Sequence, residues 1–235
     1  MSAGLFYIFC DEKYLDLNGL KRIIAAYFAV PQDSWNRMSL DRRALRIPQN
    51  TPRLARIEKL LNDTNGFASL TYADLEPSFL LGGGRDGTND IPDMARYDNA
   101  WSAVIAYGLA ATLRYLGRNM FEVKTVDLYC DTRSLKKNHK SALERVVTQT
   151  LPEIIKKGRR QNLVHPQFRG RVRRLEFVSK VPMGRDPDKF QAGVLVVHYL
   201  LQNANSFIHS GGTQRICLRD NTQEVRGYIK KFLGT

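Results

Sequence analysis

Apolar residues recur along this chain in two rhythms, and the change from one to the other marks out its elements. "LFYIFC" (5–10) and "IIAAYFAV" (Ile23 to Val30) are short, nearly continuous apolar runs rich in aromatic and branched side chains, which reads as buried strands. Pro31 stops the second run, and the turn formers Asp16, Asn18 and Gly19 between the two predict an antiparallel hairpin. A helical period then takes over. "DSWNRMSLDRRALRI" predicts a helix capped by Asp33 or Ser34 and stopped at Pro48, and "RLARIEKLLND" spaces Leu54, Ile57, Leu60 and Leu61 along one face. A short strand is expected at "FASLTYA".

From Met94 to Leu116 the pattern predicts a long helix whose apolar face holds Tyr97, Trp101, Val104, Ile105, Leu109 and Leu113. A strand follows to Cys130, in which the two-residue period places Asp127, Tyr129 and Asp131 on one face. "SLKKNHKSALERVVTQTL" predicts a helix capped by Ser134 or Asn138 and disturbed at Pro152. "RVRRLEFVSK" predicts another strand. A buried helix is expected from Pro187 through "FQAGVLVVHYLLQ", with Asp186 and Asp188 at its positive end, and "RICL" and "TQEVRGYIKKFL" predict a last strand and helix. "LLGGGRDGTNDIPD" (Leu80 to Asp93) reads as a mobile loop or insertion boundary. Its glycines lack the G-K-[ST] of a phosphate-binding loop, and no strand leads into them. With neither repeats nor low-complexity tracts, one domain is the simplest account.

Composition adds a partner. The 235 residues carry a formal net charge of +13, and the excess is concentrated. Lys156, Lys157, Arg159, Arg160, Arg169, Arg171, Arg173, Arg174, Lys180 and Arg185 lie in one stretch opposed only by Glu176, with a milder cluster through Arg37, Arg42, Arg43, Arg46, Arg53, Arg56 and Lys59. Such a field favours nucleic acid, DNA or RNA, over a merely solvated face, and an acidic protein partner is the alternative. No apolar run reaches the length of a membrane span, and the first residues lack the charged region of a signal peptide, so no membrane and a cytoplasmic location are expected. Cys10, Cys130 and Cys217 stand far apart without a C-x-x-C pair, which predicts reduced core thiols, and the four histidines lack zinc-site spacing.

Against this positive background, two predicted strands end in acid: "IFCDE" at Asp11 and Glu12, and "DLYCD" at Asp131. Carboxylates at neighbouring strand ends are what a two-metal phosphodiesterase needs, and an Asp just past a strand is also an ordinary loop opener. "YIFCDE", "VDLYCDTRSLKKNHKSALERVV" and "FQAGVLVVHYLL" together resemble the three signature blocks of the bacterial domain of unknown function 3800 family. The resemblance implies an α/β fold, a ribonuclease-H-like mixed sheet with flanking helices. It also implies a single domain over 1–235, with a helical insertion around 32–95 and the basic region at 156–185. Asp11, Glu12 and Asp131 match the family's acidic positions. Lys13 stands where a Ser is usual, and Val194 stands where the family carries its last Asp. His198 lies one helical turn further on.

Two functions follow as expectations. One is a Mg- or Mn-dependent nuclease with Asp11 and Asp131 as metal ligands, Glu12 or Glu144 as auxiliary acid, and Lys13 or the basic cluster on phosphate. The other is a catalytically inactive module that binds nucleic acid or docks on a protein partner in a mobile-element or phage-defence assembly; Val194 speaks for it. A structural protein whose charge meets an acidic partner is the third possibility.

Overall fold

The computed structural model describes residues 4–17, 19–38, 53–76, 94–118, 125–131, 137–161, 171–179, 187–211, 213 and 215–233. Six strands form one sheet in the order β5-β4-β1-β2-β3-β6. They are β1 (Leu5–Leu17), β2 (Leu20–Pro31), β3 (Phe67–Leu75), β4 (Thr125–Asp131), β5 (Arg171–Val178) and β6 (Ile216–Asp220). The first three pair antiparallel, while β4 lies parallel to β1, β5 to β4, and β6 to β3. An antiparallel meander extended by parallel strands beside its first member is a mixed α/β sheet of the ribonuclease-H-like kind.

Alternation along β1 sends Phe6, Ile8 and Cys10 to one face and Tyr7 and Phe9 to the other, and all five are buried. A strand so apolar on both sides must be central and covered twice. One cover consists of α3 (Met94–Arg118), α4 (Lys137–Arg145), α5 (Leu151–Arg160) and α8 (Thr222–Leu233). The other consists of α1 (Gln32–Arg37), α2 (Arg53–Asp63), α6 (Lys189–Gln202) and α7 (Ala204–Ser210). Trp101, Val104, Ile105, Leu109 and Leu113 of α3 are buried as their spacing predicts. Among the described residues, no helix is long and apolar enough to cross a membrane.

Glycine decides how closely the two main helices approach. A Cβ on Gly193 of α6 would lie 2.3 Å from the Phe9 ring, and one on Gly108 of α3 would lie 2.4 Å from the Thr71 hydroxyl and 2.6 Å from that of Tyr27. Each helix therefore rests directly on a core strand. α6 is fixed at its start by a capping box. The Asp188 carboxylate accepts from the Phe190 and Gln191 amides, each at 2.8 Å, and Gln191 Oε1 accepts from the Asp188 amide at 3.1 Å.

Three expectations change. β1 does not end at the acidic pair but continues to Leu17, because the hairpin with β2 goes on pairing its polar residues as far as Leu17↔Leu20. The disturbance expected at Pro152 is taken up just before it, by a π-helical turn over Val146–Thr150, so that Pro152 falls in the first turn of α5 where no amide is needed. The helix expected to be capped by Asp33 or Ser34 starts at Gln32 directly after Pro31, with both residues inside it, and is described over Gln32–Arg37. Its stop at Pro48, the Leu80–Asp93 loop and the Ser134 cap lie outside the described residues. All three cysteines are free thiols.

Candidate functional site

The parallel register pairs Cys10 with Cys130. One residue later, where β4 ends and β1 runs on alone with β2, come Asp11 and Asp131. Both carboxylates belong to the face of Phe9 and Tyr129, under α6. Strands in a sheet lie about 4.8 Å apart, so the two acids stand side by side. Asp11 is 6% exposed and Asp131 3%. Asp11 sits where the neighbouring strand ends, not where its own does, since β1 continues to Leu17.

α6 supplies a third group. His198 Nδ1 lies 3.4 Å from Asp11 Oδ2, and its Nε2 lies 3.0 Å from Gln202 Nε2 one turn on. The seat of Gly193 on Phe9 sets this approach, since it carries the following turns of α6 past the end of β4. Val194, 6% exposed, is on the same stripe one turn before His198. The available signal for His198 was its four-residue spacing from Val194.

Glu12 does not join the pair. It lies opposite Ala25, on the sheet face of Cys10 and Tyr27. There its charge adds to the burial that pushes the Tyr27 phenol up, and to the Cys130 contact and burial that push the Cys10 thiol up. Lys13 returns to the face of Asp11, exposed, one pleat further along. Glu144 is exposed on α4, over the opposite face.

A further acid on the same face is already matched. Asp127, 1% exposed, accepts two hydrogen bonds from Arg173, at 2.9 Å from Nε and 2.5 Å from Nη2. A bulge in the β4–β5 register at Val126/Asp127 delivers that arginine. Tyr129 stands between Asp127 and Asp131, stacked between Phe9 at 5.4 Å and Phe190 at 4.5 Å. Burial, helped by the Asp127 charge, pushes its phenol up to about 12.

Among the described residues, no group of three or more His, Cys, Asp or Glu side chains is arranged to hold a metal ion. The residues that come together are two carboxylates with an imidazole on one of them. Such a donor set fits Mg or Mn bound in part by a substrate phosphate, since Mg commonly takes one or two carboxylates and completes its shell with water and phosphate oxygens.

The basic stretch divides. Lys156, Lys157, Arg159 and Arg160 all lie on α5, Lys156 at 3.9 Å from Glu153. Arg159 and Arg171 line a cavity of about 340 Å³ between the π turn, α5 and β5. Arg173 is held by Asp127, and Arg174 by Glu176; Arg169 is outside the described residues. Arg171 opens β5 beside Thr125, whereas Asp131 closes β4 beside Val178. At about 3.3 Å per residue the basic end is roughly 20 Å from the acidic one. A scan against protein-family models finds no match to this chain, and a search among curated proteins finds none either.

Proposed function

We propose that this protein binds nucleic acid and cleaves its phosphodiester backbone at the Asp11–Asp131 edge with the help of Mg or Mn. The observation that supports this reading most is the register of the two acids: buried, adjacent, on one face, where a parallel strand ends. Such carboxylates repel each other until a cation lies against them. A bound divalent ion would activate water and take up charge on the phosphate. Asp11 and Asp131 hold that position; the Glu12 amide steadies the Asp11 carboxylate at 2.9 Å, and His198 Nδ1 lies 3.4 Å from its other oxygen. The cations of α5 and Arg171, about 20 Å away, suit a strand laid across the β5 edge. Phosphates spaced about 3.4 Å along a strand would put roughly six between the two ends.

A cleavage assay on single- and double-stranded DNA and RNA, supplemented with Mg or Mn, tests this. Activity should fall more than about 100-fold in both Asp11→Asn and Asp131→Asn. One observation favours a second reading: Val194 places an isopropyl group where the resemblance implies an Asp, which suits a module that binds nucleic acid or a protein partner without cutting. Salt-sensitive binding with no cleavage in any metal would select that reading. Cleavage that survives both substitutions would refute the site.

A further inference from the structure

On the sheet face opposite the acids, where α5 passes over the start of β5, lies the cavity of about 340 Å³ that Arg159 and Arg171 line. Its walls are mostly aliphatic. Val147 of the π-helical turn and Leu151 and Ile155 of α5 are buried, and Val172 of β5 packs against the same core. Thr148 adds to the π-turn side, with its hydroxyl donating to the Glu144 carbonyl at 2.8 Å. A π turn is a local widening that recurs where helices build functional sites, and here it supplies two of the walls. No carboxylate lines the cavity, and neither Arg159 nor Arg171 has a hydrogen bond or ion pair among the described residues. That sets them apart from Arg173 and Arg174, which Asp127 and Glu176 hold.

We propose, on the reading of this chain as a nucleic-acid binder, that this cavity takes one unpaired nucleotide of a single strand, its base against the aliphatic walls and its phosphate on the two guanidiniums. Two uncompensated guanidiniums call for an anion with several acceptor oxygens, which a phosphate supplies and an Arg fork can grip through two of them. Buried aliphatic walls call for an apolar body beside that anion, and a base presents one on each of its faces. The volume is at the small end of ligand cavities, roughly 300–1,000 Å³, which suits one nucleotide better than a run of them. A duplex would have to unpair and unstack a base to fill it; a single strand would not. Of the lining side chains only the guanidiniums have donors to spare, so base edges go unread and binding is tolerant of sequence. β5 is the outermost strand, so a nucleic-acid strand held here turns round the sheet edge to reach Asp11 and Asp131.

Fluorescence anisotropy with the full chain, in the absence of divalent ions, measures binding independently of cleavage. The probes are a short oligothymidylate, an abasic strand of the same length and charge, and a duplex of that length, with thymidine monophosphate and a short-chain alkyl phosphate as competitors. The oligothymidylate should bind roughly tenfold tighter than the abasic strand, the worth of one buried base. Thr148 is exposed, so Thr148→Leu should leave the fold intact while its longer aliphatic side chain fills the cavity without changing charge. It should erase the preference for the strand with bases and leave the abasic strand and the duplex bound as before. Arg159→Gln should weaken both single strands several-fold, since both carry phosphate. Equal binding of the two single strands by the parent, a preference that persists in Thr148→Leu, or a duplex weakened by that variant as much as the oligothymidylate would overturn the proposal. So would an alkyl phosphate that displaces the oligothymidylate at lower concentration than thymidine monophosphate does, which would make the cavity an acyl-chain site. The preference in a protein that cuts in no metal would end the nuclease reading and keep this one; cleavage without the preference would do the reverse.

Discussion

Two buried carboxylates on one face of the sheet, Asp127 and Asp11, meet opposite fates. Asp127 is gripped by both arms of the Arg173 fork at 2.5–2.9 Å, by a cation that keeps its charge at any working pH. Asp11 accepts the Glu12 amide on Oδ1 at 2.9 Å, has the His198 imidazole 3.4 Å from Oδ2, and has a second carboxylate on the neighbouring strand instead of a guanidinium. Burial alone therefore says little about role on this face. Asp127 meets a cation through both of its oxygens, whereas Asp11 meets a backbone amide and an imidazole and stands next to another acid. The bulge between β4 and β5 supplies the cation of the first, and the end of β4 sets the second beside Asp131.

The strongest way to break this contrast is Val194→Asp. A third acid on the His198 stripe, in a nearly buried place, should cost about 3–5 kcal/mol without a divalent ion. Mg should restore stability progressively, by about 2.7 kcal/mol at a hundred times its dissociation constant. Melts across a Mg titration check this. Stabilisation of the parent that Asp11→Asn removes would mean two acids suffice. The absence of any response in parent and variant would mean that the edge holds no cation. Arg173→Gln should leave the metal response intact, since it touches only the matched pair.

Next in size is Gly193→Ala. With a Cβ at 2.3–2.4 Å from the Phe9 ring, the helix must lift or the ring must move. Overpacking of this kind costs about 1–3 kcal/mol, or roughly 2–12 °C in Tm for a chain of this size. Lifting α6 withdraws His198 from Asp11 and leaves Asp127 and Arg173 as they are. A variant that melts like the parent would show that α6 is not seated on β1.

That seating also measures what the sequence could tell. The central position of "LFYIFC" and the shared face of Asp127, Tyr129 and Asp131 were legible because strand periodicity is local. The Asp188–Gln191 capping box was not named from the sequence, but the start of α6 was legible as acidic charge at a positive helix end. The further course of β1 was not, because "DEKYLDL" has no apolar rhythm of its own and is held by pairing with β2. Nor was the division of the basic run: Arg171, Arg173 and Arg174 look alike in sequence, and only the bulge and the positions of Asp127 and Glu176 tell them apart. The approach of His198 to Asp11 depends on a contact between residues 187 positions apart.

The divided arginines give a smaller effect. Log K for nucleic acid against log[salt] should become shallower by about 1 in Arg171→Gln and hardly change in Arg173→Gln, whose cost should appear in Tm instead. Equal slopes in the two variants would mean that Arg173 leaves Asp127 to meet phosphate, and the matched pair would no longer be purely structural.

The smallest expected effect lies at Tyr129, between Asp127 and Asp131 on β4. Its phenol is pushed up to about 12 by burial first and by the Asp127 charge second, against about 10 in an unfolded chain. Between those values the folded state keeps a proton that the unfolded state has lost. Stability therefore falls as pH rises from about 10 to 12, and below pH 10 this contribution is fully present. Tyr129→Phe removes it, so denaturant unfolding should show a shallower alkaline decline while the pH 7–9 plateau keeps its shape. The decline should not vanish, because on the other face Cys10, pushed up by the Cys130 contact and by burial, and Tyr27, pushed up by burial, lose stability with the same sign. An unchanged alkaline slope would place the Tyr129 hydroxyl in water, where the Asp127 charge is screened, and Asp127 and Asp131 would no longer have a buried phenol between them on β4.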